Sequence, residues 1–133
     1  MTEDYSDAAD RHFADAQLLH EQMPPRLANA SHLYGVAAEC ALKCIISQST
    51  KGGGKVPRVH LPELLDQLSM HSVAKGNADL VKRVKKSAEG LCNWRVEQRY
   101  DNQTVFIVAN VVAEAASAQK LLALRKHHAR GII

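Results

Sequence analysis

The sequence predicts an all-α fold, and three observations support this. Hydrophobic residues make up 46% and charged residues 23% of the 133-residue chain, the balance of a globular protein large enough to bury its own core. Aromatic residues make up only 5%, and a core of Ala, Val, Leu and Ile suits closely packed helices better than a sheet. Apolar residues also recur at helical spacing. We therefore expect a single helical domain over residues 1–133.

Two helices are predicted in the first part of the chain. Ser6 is expected to cap the first helix, which carries apolar residues at Ala9, Phe13, Ala16, Leu19 and Met23 and ends at Pro24-Pro25. The second helix is predicted from about Asn29 to Ser49, with an apolar face of Leu33, Val36, Ala37, Cys40, Ala41, Cys44 and Ile45. Its small residues, Gly35, Ala37, Ala38, Cys40 and Ala41, would let another backbone approach closely.

A glycine-rich stretch, residues 51–57, separates these helices from the rest. It is predicted to be a solvated connector, because Gly54-Lys55 is followed by Val56 and not by the Ser or Thr of a phosphate-binding P-loop. A short third helix opens at Pro62 and buries Leu64, Leu65 and Leu68. A fourth helix is capped by Asn77, buries Leu80, Val81 and Val84, and ends at Gly90. A long last helix is capped by Asp101 or Asn102, includes the β-branched run 104–108, and continues through Ala129.

Charge and cysteine content restrict the class of protein. The formal net charge of +3 permits a nucleic-acid partner without indicating one. The acidic N-terminus lacks the features of a signal peptide, and the apolar run 105–113 is too short to span a bilayer, so a cytoplasmic protein without membrane contact is expected. Cys40 and Cys44 have the spacing of a buried helix face, and adjacent His127 and His128 point in different directions. We expect neither a metal nor a cofactor.

One segment, residues 93–101, has a composition unlike the rest of the chain. It holds the only tryptophan, Trp94, followed by Arg95, Glu97, Arg99 and Tyr100, with Asp101 at its end. If the segment is α-helical, Arg95 and Arg99 share a face and form a receptor for phosphate. The alternative is that Trp94 anchors the helix junction in the core while an arginine pairs with Glu97 or another carboxylate.

The second helix carries a further motif. Residues 31–46 include Ala37-Ala38-Glu39-Cys40-Ala41-Leu42-Lys43 and resemble the corresponding helix of HEPN domains. Four further features follow in the order that such domains have. They are the glycine-rich stretch, His60-Leu61 with the short third helix, Trp94 with Arg99-Tyr100, and the long last helix. The resemblance covers the chain from about Asn29 onward. It implies an up-and-down bundle of four or five helices that forms homodimers, acts in toxin–antitoxin, defence or other RNA-linked systems, and can have a nucleotidyltransferase-like partner protein.

Active HEPN ribonucleases carry an arginine, four to six further residues and then a histidine. Arg95 fits the arginine position, but Tyr100 stands where the histidine would fall. A tyrosine stays protonated near neutral pH and is a poor general base. We therefore predict a nucleotide- or RNA-binding module without catalysis, with Arg95, Arg99 and Tyr100 holding phosphate and Trp94, Glu97 and Asp101 supporting them. Two alternatives remain. One is a divergent metal-independent endoribonuclease that uses Arg95, Arg99 and Tyr100, with Glu97 orienting the arginines, and the other is a structural accessory subunit.

Overall fold

The computed structural model describes residues 3–49, 56–68 and 77–130, and these are mostly helical, with no strand among them. The α-helices are α1 (Tyr5–His20), α2 (Leu27–Ser49), α3 (Glu63–Leu68), α4 (Ala78–Ser87) and α5 (Val108–Ala129). Three short 3-10 helices, Glu89–Leu91, Val96–Tyr100 and Gln103–Val105, connect α4 to α5. The predicted all-α class is confirmed, and the arrangement is compatible with a helical bundle.

Helix α2 lies at the centre and packs against both α1 and α5. Its small residues Ala37, Ala38 and Ala41 are fully buried in that core. The backbone that approaches these small residues closely is therefore that of the chain's own helices. The shorter helices close the core with Leu64 and Leu68 from α3 and Leu80 and Val84 from α4, whereas Leu65 and Val81 are only partly buried.

Helix α1 begins earlier and ends earlier than predicted. Asp4, not Ser6, is the N-cap, because its side chain accepts a hydrogen bond from the Asp7 backbone N–H at 2.9 Å. Ser6 already lies inside the first turn, beyond the position from which a side chain can cap. The helix ends at His20, so Met23 lies past it and is 92% exposed rather than part of the apolar stripe.

The region between α4 and α5 differs most from the prediction. Asn77 caps α4 as expected, accepting from the Leu80 N–H at 3.0 Å, but α4 ends at Ser87 and Gly90 falls in a 3-10 helix. Asn102 caps the 3-10 helix Gln103–Val105 and not the last α-helix. Ile107 is extended, so α5 starts only at Val108. The run 104–108 is neither continuous helix nor strand.

Two buried charged side chains tie these helices together. Glu39 of α2 is 4% exposed, and its carboxylate accepts from the Leu61 N–H at 2.9 Å and contacts His60 Nδ1 at 3.0 Å. Arg125 of α5 donates to the Ser6 carbonyl and to Asp10 Oδ1, both at 2.8 Å. Glu39 of the HEPN-like motif therefore fixes the approach to α3. Residues 51–55 of the predicted glycine-rich connector lie outside the described residues.

None of the helices within the described ranges is long and apolar enough to cross a membrane.

Candidate functional site

Trp94 is the anchor of the segment that the sequence singled out. Its side chain is 1% exposed, and its indole N–H donates to the Ser31 carbonyl of α2 at 2.9 Å. The ring lies directly over Gly35, where a Cβ atom would come within 1.8 Å of Trp94 Cε2. The glycine of α2 is therefore required for the indole to reach the core. Trp94 is therefore buried at the helix junction, as the anchoring alternative expected of it.

Ser31 is the second point that fixes this segment to α2. Its side chain is fully buried, and Ser31 Oγ accepts from Gln98 Nε2 at 2.6 Å and donates to Glu114 Oε1 of α5 at 2.7 Å. Gln98 in turn accepts from the Arg95 backbone N–H at 3.2 Å. A continuous hydrogen-bonded chain thus joins the 3-10 helix Val96–Tyr100 to two α-helices, which holds the backbone that carries Arg95 and Arg99 in place.

The polar residues of the motif extend into solvent from this fixed backbone. Arg95 and Arg99 are exposed, and Tyr100 is 77% exposed. The Arg99 guanidinium lies 4.8 Å from the centre of the Tyr100 ring, a cation–π contact. Arg95 Nη1 is 3.5 Å from the Trp94 carbonyl. We call the exposed side chains of Arg95, Arg99 and Tyr100 the arginine surface.

The arginines do not meet the carboxylates expected to orient or neutralise them. Within the described part of the chain, neither Arg95 nor Arg99 forms an ion pair, and Glu97 contacts neither of them. The segment is a 3-10 helix, in which residues three apart share a face. Glu97 is two residues from each arginine, and the four-residue spacing of the arginines does not stack them as an α-helix would. Glu97 thus forms no ion pair with either arginine in the described structure, and its supporting role stays a prediction.

A histidine that the motif analysis did not select lies beside this surface. The His32 ring stacks on Trp94, with ring centres 6.2 Å apart and planes 18° apart. Burial lowers the pKa of His32 below its ordinary value, and the positive charges of Arg99 and His12 lower it further. His32 Nδ1 is buried without a hydrogen-bond partner in the described structure. His32 is thus a neutral ring near pH 7, next to the Arg99 charge.

A cavity of about 350 Å³ lies next to the Ser31 hydrogen-bond chain. Its walls come from α2, α5 and the 3-10 helices, and they include Ser31, Gln98, Asp101, Phe106 and Glu114. Burial raises the pKa of Glu114 to about 7, although the hydrogen bond from Ser31 acts in the opposite direction. Asp101, predicted as a support of the arginines, instead lines this cavity.

Sequence reasoning missed both His32 and Glu114, because each reaches the site only through folding. Ser31 and Glu114 are 83 residues apart. The one local signal was that Glu114 is the only charged residue between Asp101 and Lys120.

Burial raises the pKa of both Cys40 and Cys44, in keeping with small apolar residues, and no group of three or more metal-binding side chains occurs in the described residues.

Comparison of the chain with protein-family models, curated proteins and solved structures gave no match. The HEPN resemblance therefore rests on the motif residues of α2 and of the Trp94 segment, and it stays a prediction.

Proposed function

We propose that this protein is a nucleotide- or RNA-binding module that holds phosphate on the arginine surface. The observation that carries the proposal is that Arg95 and Arg99 are exposed, without a carboxylate partner in the described structure, on a backbone fixed by Trp94 and Ser31. Arg58 and Arg83 are also exposed, but they lie within ion-pair distance of Glu3 and Asp79.

Unpaired guanidinium groups favour an anionic ligand for an energetic reason. A phosphate that binds Arg95 or Arg99 breaks no existing ion pair, and it gains charge-assisted hydrogen bonds. The fixed 3-10 backbone also lowers the entropy lost when the side chains are ordered. Tyr100 adds an exposed aromatic ring on which an unstacked base can lie. This combination of cations and an aromatic ring is typical of single-stranded RNA binding.

Retention of a fluorescein-labelled single-stranded RNA at low salt tests this function. We expect Arg95→Ala/Arg99→Ala to weaken retention at least about tenfold, because charge-assisted hydrogen bonds are lost, and to keep the helical circular dichroism spectrum. The matched control is Arg58→Ala/Arg83→Ala, which removes the same charge from arginines that already have partners. Equal losses in the two variants would show a general charge effect and contradict the proposal.

A second candidate function, metal-independent RNA cleavage, is favoured by His32 alone. Its lowered pKa leaves the ring able to accept a proton near pH 7, and the Arg99 charge beside it could stabilise an oxyanion. Tyr100 has no hydrogen-bonded base among the described residues. RNA cleavage in the presence of a chelator, abolished by His32→Asn and retained by Tyr100→Phe, would establish the enzyme. Intact RNA under the same conditions supports the binding module.

Assembly as a homodimer is part of the proposal, on a face that the sequence did not suggest. Four apolar residues in the first turns of α5 and just before it are each more than half exposed, namely Val105, Ile107, Val108 and Val112. Glu114, the only charged residue between Asp101 and Lys120, is buried. Two copies of this face can therefore meet about a two-fold axis without opposing like charges. The HEPN resemblance also supports a toxin–antitoxin role and a nucleotidyltransferase-like partner protein. The buried anchor Trp94 supports the third possibility, a structural accessory subunit.

A further inference from the structure

The cavity beside the arginine surface has a chemistry opposite to that surface. Three carboxylates, those of Glu89, Asp101 and Glu114, lie in its walls, together with side-chain amides. No Lys, Arg or His occurs among the described residues that line it. Such walls repel phosphates and carboxylates, and they attract groups that donate hydrogen bonds. The cavity therefore does not duplicate the proposed phosphate-binding surface.

Glu114 provides the group that points to a ligand. It is 8% exposed, and among the described residues only its Oε1 has a partner, the Ser31 hydroxyl at 2.7 Å. Its Oε2 accepts no hydrogen bond from the described residues and is not sealed from solvent, so it opens to the cavity that Glu114 lines. Buried polar groups are normally satisfied, and a carboxylate is the costliest to leave without a partner. An N–H donor in the cavity would satisfy it.

The surroundings of Glu114 keep the carboxyl group in one orientation. Ser31 Oγ both accepts from Gln98 and donates to Glu114, and Gln98 is held in turn by the Arg95 N–H. Among the described residues this leaves Oε2 as the free acceptor of a carboxyl group that lines the cavity, while Phe106 contributes a partly buried aromatic side chain to the wall. A cavity of about 350 Å³ is at the lower end of the range for small-molecule sites. A small planar ligand fits these dimensions.

We propose that this cavity binds a planar group with N–H donors on two nitrogen atoms bonded to the same carbon, and that Glu114 Oε2 is the main acceptor. Two kinds of molecule present this edge, namely a guanine base, through N1–H and the 2-amino group, and a free guanidino compound. The remaining wall carboxylates, Glu89 and Asp101, add a negative field that favours either ligand. If the ligand is a guanine nucleotide, the inference rests on the proposed function and supplies its base specificity. The cavity residues themselves do not depend on the arginine surface.

The pH dependence of binding follows from the ionisation of Glu114. With a pKa of about 7, the carboxyl group is mostly protonated at pH 6 and mostly ionised at pH 8. The charged and titratable groups that share the cavity with it are Glu89, Cys92 and Asp101. Because only the carboxylate accepts two N–H donors, affinity should rise about tenfold between these pH values, which is the change in the ionised fraction.

The test is titration of the full chain with guanosine, inosine and methylguanidine, monitored by the fluorescence of Trp94, the only tryptophan, which itself lines the cavity. Nucleosides carry no phosphate and therefore do not need the arginine surface. A failure to bind them would contradict the cavity proposal alone and not the proposed phosphate binding. We expect guanosine or methylguanidine to bind and inosine, which lacks the 2-amino group, to bind at least tenfold more weakly than guanosine. Guanosine binding identifies a nucleobase site, and binding of methylguanidine alone identifies a guanidino site.

Two variants assign the binding to this cavity. Glu114→Gln keeps an acceptor for Ser31 and should weaken binding at least tenfold, whereas Glu97→Gln, an exposed carboxylate outside the cavity, should leave it unchanged. Ala113→Phe places a bulky ring at the exposed rim without disturbing the core, and should block binding even if Glu114→Gln folds poorly. The proposal is overturned if neither ligand binds at millimolar concentration, or if Glu114→Gln or Ala113→Phe binds as tightly as the unaltered chain.

Discussion

Gly35 and Trp94 depend on each other more than any other pair of residues at the site. A Cβ atom at position 35 would lie 1.8 Å from Trp94 Cε2, and the Trp94 ring is 1% exposed and cannot move outward freely. Helix propensity alone predicts that Gly35→Ala stabilises α2 by about 1 kcal/mol. We expect the opposite sign, a destabilisation of about 1–3 kcal/mol or more from overpacking.

Urea unfolding of the double variant tests this dependence. Trp94→Ala alone should cost roughly 3–5 kcal/mol by leaving a cavity. In the Trp94→Ala background, Gly35→Ala should become neutral or stabilising, because the ring it would strike is gone. Additive losses in the double variant would show that the clash is not the reason for the glycine.

Glu114 makes a distinct prediction about stability and pH. Its pKa is about 7 in the folded chain, above its ordinary value of 4.5, so the folded state holds the proton more tightly than the unfolded state. The stabilisation is fully present below pH 4.5 and is lost as pH rises through 7. The free energy of unfolding should therefore fall between pH 5 and pH 8 by an amount on the order of 1–3 kcal/mol.

Glu114→Gln provides the check, by chemical denaturation across this pH range. The amide has no proton to lose and still accepts from Ser31, so this part of the pH dependence should vanish and the variant should be the more stable one at pH 8. A variant with the same pH profile as the unaltered chain would place the titration elsewhere.

Among the elements, the 3-10 helix Val96–Tyr100 depends on Ser31 of α2 for its position. Ser31→Ala removes the hydroxyl group that Gln98 Nε2 and Glu114 Oε1 share. Ser31 is fully buried, so water does not readily replace this hydroxyl group. We expect a loss of about 1–3 kcal/mol, the cost of leaving buried polar groups unsatisfied. In the Ser31→Ala variant, backbone hydrogen exchange in the Val96–Tyr100 segment should also be faster than in the unaltered chain, with α1 as the internal reference. Unchanged exchange there would mean that Trp94 alone fixes the segment.

The elements also show where sequence patterns are sufficient. Helix α2 was placed to within two residues at its start, because a long run of regularly spaced apolar residues leaves one helical solution. The predicted cap of α5 was Asp101 or Asn102, but the helix begins only at Val108. Asn102 is a good cap for any helical turn, and here it caps a 3-10 helix. The extended backbone at Ile107 separates the two turns, and no residue type in the run signals it.

The candidate site was predictable only where it is local in sequence. Trp94, Arg95, Arg99 and Tyr100 stand together in the chain and were found by composition. Ser31 and His32 contact that segment, and Glu114 contacts Ser31 across 83 residues, only because α2 and α5 pack together. The shared α-helical face predicted for Arg95 and Arg99 is not formed, because the segment has the tighter 3-10 pitch.

On the scale of the whole molecule, the exposed start of α5 predicts self-association. Light scattering at micromolar concentration should give about 29 kDa, twice the chain mass of 14.6 kDa. Val108→Glu/Val112→Glu places four carboxylates in the dimer contact and should return the mass of one chain, with the helical content unchanged. A single-chain mass for the unaltered protein would rule out this dimer.

The arginine surface gives the molecule its proposed role, and the salt dependence of RNA binding reports directly on it. On a single strand, each phosphate contact contributes about 0.7 to the slope of log affinity against log salt concentration. Arg95→Ala/Arg99→Ala should therefore reduce the magnitude of that slope by about 1.4 for two lost contacts, while Arg58→Ala/Arg83→Ala leaves it unchanged. Equal slopes for the unaltered chain and the Arg95→Ala/Arg99→Ala variant would show that these arginines do not bind phosphate.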